Sequence, residues 1–198
     1  MRENNVPEWY ISSCKKIKYM FPKAHAAAYV TMAFRIAWFK VHIPIAYYAA
    51  FFSIRADEFD ADAMIFGKEK VLEKMKEIDM QGNSATPKDK NMYPILEIVL
   101  EMLERNINFL PIDIYKSDAK MFKIEDGALR PPLSAIPNFG LVNANNVVAA
   151  REEEAFSSKE DVLRRAKLGK TGLQMLEDYG CLKGMPNSSQ VSLFDTLF

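Results

Sequence analysis

The sequence predicts a mainly α-helical chain that contains one small β-hairpin. In most segments apolar residues recur at three- and four-residue intervals, which indicates helices with one buried face. The segment 121–130 instead alternates apolar and polar residues around Asp126-Gly127, a pair that favours a tight hairpin turn. A polar stretch at 83–91, with serine, proline and two lysines, predicts two main parts that meet near Ala85.

Helices are predicted on both sides of the hairpin. Proline delimits the first three, because it fits the first turn of a helix and disfavours helical geometry in the residue before it. The predicted helices cover 7–21, 23–42, 45–54, 67–82, 92–105, 135–151 with a break at 137–140, 158–165 and 171–179, and an extended tail follows at 186–198. The helix at 23–42 is apolar on almost every face, so we expect it to be buried against more protein than this segment provides.

Composition and charge exclude several classes of protein. The 26 Lys and Arg residues balance 26 Asp and Glu residues, so nucleic-acid binding requires local features rather than a broad positive field. Two Cys and two His without a Cys-x-x-Cys pair argue against a structural zinc site or a disulfide scaffold, which fits a reducing cytoplasm. The apolar stretch 24–39 is interrupted by His25 and Arg35 and falls short of the ~20 residues of a membrane span.

A turn of the helix-hairpin-helix type is predicted at 136–140, where the sequence reads Ile-Pro-Asn-Phe-Gly. The following helix, 142–151, begins with unpaired backbone N–H groups and a partial positive charge, which together can hold a phosphate. Such contacts grip a DNA backbone without reading its sequence. The alternative is an ordinary loop between two core helices. The predicted DNA-binding residues of this turn are Asn138, Phe139, Gly140, Val142 and Asn143.

A second turn of this kind is predicted at 164–171, where four basic residues and no acidic ones lead into a helix. Two such turns could clamp successive phosphates along one groove of a duplex. The alternative is a solvated basic turn, which is common on protein surfaces. The predicted DNA-binding residues of the second turn are Lys167, Gly169, Lys170 and Thr171.

Charged residues in the first half suggest two further sites. Lys23 and His25 open the apolar helix and Arg35 follows on it, a placement that suits a nucleoside triphosphate. The alternative for His25 is a core residue with satisfied hydrogen bonds. The second candidate is an acidic run that consists of Asp57, Glu58, Asp60 and Asp62. Carboxylates can bind Mg²⁺, but these fall in a polar connection that does not place them on one cavity, so we predict no metal site here.

Several stretches of the sequence carry a family resemblance. They lie at 6–11, 14–29, 39–42, 47–48, 55–57, 59–60, 133–137, 140, 150–152, 158–161, 180–182 and 190–194. Together they closely resemble PolC, the replicative DNA polymerase III α subunit of low-GC Gram-positive bacteria, and the resemblance covers essentially the whole chain. The related DnaE polymerases share the stretch 23–29 only loosely. Two features depart from the PolC pattern: Asn138 replaces the usual first glycine, and residues 195–198 extend beyond the usual ending.

The terminal stretch resembles the peptide with which bacterial DNA polymerases engage the β sliding clamp. That peptide corresponds to Gln190, Val191, Ser192, Leu193 and Phe194. Gln190 would hydrogen-bond at the rim of a pocket, while Leu193 and Phe194 would fill an apolar cleft. The alternative is that these apolar side chains dock on the core of the chain itself.

The PolC resemblance implies a division of the chain and a function. Residues 1–85 would end the polymerase fingers on the side of the incoming deoxynucleotide, 86–185 would form the duplex-binding domain with its tandem helix-hairpin-helix, and 186–198 would be the clamp-binding tail. The parent reaction is DNA synthesis, in which Mg²⁺ assists attack of a primer 3′-hydroxyl on a deoxynucleoside triphosphate. In this family the palm aspartates lie upstream, so we expect a fragment without catalytic residues. The alternative is a free-standing, non-enzymatic adaptor that binds DNA and the clamp.

Overall fold

A computed structural model describes residues 1–17, 23–55 and 58–188. The Cα packing divides the chain into two compact units, Met1–His42 and Ile43–Phe198. Helices dominate the described residues, and the strands in them form a two-stranded antiparallel sheet. The predicted class, mainly α with one small hairpin, is therefore confirmed.

The first unit contains α1 (Glu8–Lys16) and α2 (Lys23–His42). None of the residues of α2 is buried within this chain, so the expectation that this helix is buried against further protein stays a prediction. Its exposed large apolar side chains are Tyr29, Val30, Met32, Phe34, Ile36, Trp38, Phe39 and Val41. The helix is apolar all round, and α1, at 9 residues, is too short to cover every face of a helix of 20. None of the described helices is long and apolar enough to cross a membrane.

The second unit begins with four helices. They are α3 (Pro44–Ile54), α4 (Ala61–Met64), α5 (Lys68–Gln81) and α6 (Pro87–Glu104). We predicted α6 to start at Met92, but it begins five residues earlier because Thr86 caps it. The Thr86 hydroxyl accepts a hydrogen bond from the Asp89 N–H at 3.1 Å, and Pro87 takes the first helical position. Residues 82–86 thus form a tight connection between α5 and α6, which pack against each other, and residues 87–91 belong to α6. The assignment of 1–85 and 86–185 to separate domains of the parent protein stays a prediction.

The hairpin forms where the sequence places it. Strand β1 (Lys123–Glu125) pairs with β2 (Ala128–Arg130), and Asp126 and Gly127 both have positive φ, 51° and 78°, as the two central residues of such a turn require. Helix α3 packs on the hairpin, and the buried Ser53 hydroxyl accepts a hydrogen bond from the Phe122 N–H at 2.9 Å. Around this contact lies an aromatic core, whose rings belong to Phe52, Phe59, Phe109 and Phe122.

Glu125 at the end of β1 holds two cations. Arg130 Nε donates to one carboxylate oxygen at 2.6 Å and Nη2 to the other at 2.8 Å, while Lys116 Nζ lies 3.0 Å away. The hydrogen bond from Arg130, followed by that from Lys116, lowers the pKa of Glu125 to about 2. A carboxylate whose pKa is lowered in the folded state stabilises the fold above its ordinary pKa of 4.5, and that stabilisation is lost as the pH falls towards 2.

Glu125→Gln is therefore expected to lower the melting temperature at neutral pH, and the difference from the unsubstituted chain should vanish as the pH approaches 2. Thermal unfolding followed by circular dichroism across this pH range measures the effect. Glu69→Gln is the matched control, because Glu69 is exposed and has no cation within 4.0 Å in the described part of the chain. A difference for Glu125→Gln that persists at pH 2 would contradict the assignment.

Three helices complete the second unit. They are α7 (Gly140–Glu153), α8 (Lys159–Arg165) and α9 (Lys170–Asp178), close to the predicted segments. Ser158 caps α8 by accepting a hydrogen bond from the Asp161 N–H at 3.2 Å. The backbone carbonyls of Pro186 and Asn187 accept hydrogen bonds from the first two amides of α8, at 2.9 and 3.1 Å. The start of α8 thus holds the chain just before the tail, whereas the predicted clamp peptide at 190–194 lies outside the described residues.

Candidate nucleic-acid interface

The first predicted turn is tight, with two buried apolar anchors and an exposed tip. Asn138 and Gly140 have φ of 61° and 77°, and Phe139 between them has φ of −71°. The apolar anchors Ile136 and Phe139 are each 1% exposed, whereas Asn138 and Gly140 are exposed to solvent. Asparagine is among the residues that best tolerate the left-handed region, which explains how it can replace glycine here.

Helix α7 starts directly at this tip without a side-chain cap. Its first backbone N–H groups therefore remain available to an acceptor from outside, and the helix dipole favours a negative one. The Asn143 amide points backwards, because its Nδ2 donates to the Phe139 carbonyl at 2.7 Å. Val142 is 74% exposed beside the tip. The start of α7 can thus hold an anion with backbone groups, while the predicted contacts of Val142 and Asn143 with DNA stay predictions.

The second turn resembles the first in its positive-φ residue and its buried anchor, but Gly169 has φ of −76° where Gly140 has 77°. Lys167 has φ of 51°, Leu168 is only 5% exposed, and Gly169 stands exposed as the N-cap of α9 without a side-chain hydrogen bond. In both turns, a non-glycine residue with positive φ precedes a buried apolar residue and then an exposed glycine that lies at the start of a helix. Thr171 is exposed in the first turn of α9. Each predicted turn therefore exposes a glycine at the start of a helix that lacks a side-chain cap, although the two glycines differ in backbone conformation.

The two hairpins are joined by a glycine that the sequence analysis missed. Gly172 in α9 is buried, and a Cβ placed there would lie 3.7 Å from Leu168 Cβ, 3.7 Å from Phe139 Cε2 and 3.8 Å from Asn143 Nδ2. A methyl group would fit at this position, whereas a larger side chain would run into the anchor of the first turn. A glycine inside a predicted helix is destabilising by itself and was the available signal for a close approach.

Half of the basic residues of the second turn serve the fold. The Arg165 guanidinium donates to the carbonyls of Ala150 and Glu154 and stacks 5.0 Å over the Phe156 ring. Arg164 donates to the buried Asp161 at 2.7 Å. Lys167 and Lys170, in contrast, are exposed, and neither has a carboxylate within 4.0 Å among residues 1–17, 23–55 and 58–188. The cations that this turn can offer to DNA are therefore these two lysines.

The predicted nucleotide-binding residues do not converge. Lys23, His25 and Arg35 are all exposed on α2, at positions that point in different directions at about 100° of rotation per residue. The His25 ring packs edge-on against Tyr29, with a centroid distance of 4.5 Å. Arg35 lies with Nη1 3.9 Å from Met32 Sδ. A role for these side chains at a nucleotide therefore stays a prediction.

The acidic run is engaged in local contacts. Glu58 accepts hydrogen bonds from Arg55 at 2.9 Å, Asp60 caps α4 by accepting from the amides of the next turn, and Asp62 accepts from the Tyr179 hydroxyl. Asp57 lies outside the described residues. In the part of the chain that the structure describes, no group of three or more His, Cys, Asp or Glu side chains is placed to hold a metal ion.

Comparison with known proteins agrees with this geometry. A model of the helix-hairpin-helix motif matches residues 106–191. Proteins named DNA polymerase III PolC-type from Oceanobacillus iheyensis and Bacillus subtilis are each 53% identical to this chain over 194 residues, which is 98% of the chain and 14% of each relative. The relative of that name from Listeria monocytogenes is 54% identical over 98% of the chain and 13% of its own length. The chain thus spans about 14% of the length of the relatives it matches, and it belongs to the PolC-type DNA polymerase III family.

Proposed function

We propose that this chain is the C-terminal part of a replicative DNA polymerase, in which it grips the duplex and ties the enzyme to the sliding clamp. The observation that carries this proposal is the pair of exposed turns joined at Gly172. Each turn opens a helix that lacks a side-chain cap and therefore presents unpaired amides to a phosphate.

The two turns suit DNA backbone rather than bases. Backbone amides and two lysines contact phosphate oxygens, which are the same at every step of the duplex, so a polymerase can hold any sequence this way. The packing of Phe139 against Gly172 fixes the spacing of the turns, so they can engage two phosphates without rearrangement.

In the whole polymerase, the chain would contribute to two domains. Residues 1–85 would end the fingers, with Lys23, His25 and Arg35 on the side of the deoxynucleoside triphosphate, and 86–185 would form the duplex-binding domain. The carboxylates that hold Mg²⁺ for nucleotidyl transfer would lie in the palm, in another part of the enzyme. This chain alone would then bind DNA without extending a primer.

The tail would supply the clamp contact. Gln190, Leu193 and Phe194 provide the polar rim contact and the two apolar anchors of a short linear peptide. The chain leaves towards these residues from the start of α8, whereas the second turn follows the end of α8. Helix α8 has 7 residues and is therefore about 10 Å long, so the proposed clamp peptide and the second turn lie at opposite ends of it. The clamp and the DNA could then be bound at the same time.

Gly140→Val tests the duplex grip. Valine at a φ of 77° costs about 1–2 kcal/mol, and its side chain would stand in open space at the tip and keep a phosphate from the amides. We expect at least about tenfold weaker duplex binding in fluorescence anisotropy with a labelled duplex.

Gly184→Val is the matched control for that experiment. Gly184 also has positive φ, 84°, and open space around its Cβ position, but it lies beyond α9 and outside both turns. It should therefore suffer a similar backbone cost and keep its DNA affinity. Equal loss of affinity in the two variants would show that the first turn is no special site.

A further inference from the structure

The first turn lacks the cations that the second turn carries. Residues 131–150, which contain the whole first turn and most of α7, include no Asp, Glu, Lys or Arg. Arg151 follows, but its Nη1 donates to the Ile114 carbonyl, and burial lowers the pKa of this guanidinium. The second turn, in contrast, has Lys167 and Lys170 in its own sequence. A phosphate at the first turn would therefore find only neutral groups on that hairpin.

A groove beside the first turn brings two lysines to it from other elements. The groove encloses about 580 Å³, and Asn138, Gly140 and Leu141 form part of its wall. Lys88 of α6 and Lys120 of the connection before β1 form other parts of the same wall. The exposed tip and the two lysines thus border one continuous space.

Lys120 is held beside the first turn by backbone hydrogen bonds. The Asp118 carboxylate accepts from the amides of Lys120 and Met121 at 2.9 and 3.0 Å, which fixes the local bend. The carbonyls of Asp118 and Ala119 accept from the amides at 133 and 134, at 2.9 and 3.1 Å, just before the turn begins at 136. Within the described residues, no carboxylate lies within 4.0 Å of the Lys120 ammonium. Its position is therefore set by the fold while its charge stays uncompensated.

The ammonium group of Lys88 is also only weakly held. It is the second residue of α6, its side chain is 78% exposed, and its Nζ lies 3.8 Å from Asp60 Oδ2. Surface pairs of this length contribute little and yield to a better partner. Asp60 and Glu58 also line the groove, but Asp60 is held by the first amides of α4 and Glu58 by Arg55. Both carboxylates thus have hydrogen-bond partners outside the groove lysines, so the two lysine ammonium groups can turn towards a phosphate.

We propose that Lys88 and Lys120 supply the cations for the phosphate at the first turn, as Lys167 and Lys170 do for the second. The inference rests on the proposed duplex grip and extends it to two elements outside the helix-hairpin-helix. Each turn then combines backbone amides with two ammonium groups, although only the second turn carries them in its own sequence. The strand at the first turn would run along the groove between α6 and the connection that precedes β1.

The salt dependence of duplex binding tests the inference. Each lysine that contacts a phosphate releases counterions from the DNA. The loss of one such lysine therefore makes the negative slope of log Kobs against log salt less steep by about 1. Lys88→Gln with Lys120→Gln should therefore make the slope less steep by about 2 in anisotropy titrations of the full chain with a labelled duplex. Lys76→Gln with Lys183→Gln removes the same charge from exposed positions that do not line the groove, and it should leave the slope unchanged.

The outcomes separate this inference from the function on which it rests. If Gly140→Val weakens binding and the Lys88/Lys120 pair behaves like the control pair, the first turn binds DNA but the groove does not, and the inference is overturned. If the unsubstituted chain shows no salt-dependent duplex binding, the duplex grip itself fails and the inference with it. Melting temperatures of the two double variants should match that of the unsubstituted chain, because all four lysines are exposed.

Discussion

Gly172→Leu is expected to lower the free energy of unfolding by about 2 kcal/mol and the melting temperature by about 4–8 °C. A Cβ at this position already touches Leu168 and Phe139 at 3.7 Å, so the further carbons of leucine would overlap the anchor of the first turn. The packing would have to open, and the two tips would move apart. Duplex affinity should fall as well, since a grip with two turns depends on their spacing.

Gly172→Ala separates the space requirement from other effects of losing glycine. Contacts of 3.7–3.8 Å are ordinary for a methyl group, and alanine is favoured over glycine in a helix by up to about 1 kcal/mol. Alanine should therefore keep duplex affinity and match or exceed the original melting temperature, as measured by calorimetry and anisotropy. A leucine variant as stable as the alanine variant would show that the hairpins do not meet at Gly172.

Leu193→Ala combined with Phe194→Ala is expected to weaken binding to the β sliding clamp by more than about 100-fold. Two apolar anchors that fill a cleft dominate the energy of such a short peptide, and each is worth about 2 kcal/mol or more. Surface plasmon resonance with purified clamp measures the loss. Duplex affinity and melting temperature should stay unchanged, because the tail lies beyond the turns in sequence.

The residues that follow the peptide provide the control for the Leu193/Phe194 variant. Asp195→Ala with Thr196→Ala alters two residues just beyond the peptide and should keep clamp affinity. If the Leu193/Phe194 variant instead lowers the melting temperature, its side chains belong to the core of the chain. That result would replace the clamp tether with a structural role for the tail.

The elements with a local cause were predictable from sequence. Asp126-Gly127 specifies a hairpin because both positions need positive φ, and the structure places the turn there. The start of α6 was misplaced because 83–91 has the composition of a linker, although Thr86-Pro87 is also a capping signal. The burial of α2 could not be settled, because periodicity shows which faces are apolar but not whether this chain covers them.

The candidate site was predictable in its turns but not in its charges. Glycine and asparagine marked the tips, because few other residues accept the backbone they require. Arg165 and Lys167 look alike in sequence, yet Arg165 binds carbonyls of α7 and the following loop, whereas Lys167 faces solvent. Lys88 and Lys120 lie far from the first turn in sequence. Only the fold brings them to its groove.

The hydrogen bonds that hold Pro186 and Asn187 to the start of α8 limit how far the proposed clamp peptide could reach from the fold. Three residue steps separate Asn187 from Gln190, and an extended chain covers about 10 Å over that distance. If the proposed peptide binds the clamp, the ring would therefore sit close to the start of α8. Newly made duplex would pass from the two turns straight into the ring, with almost no unprotected DNA in between.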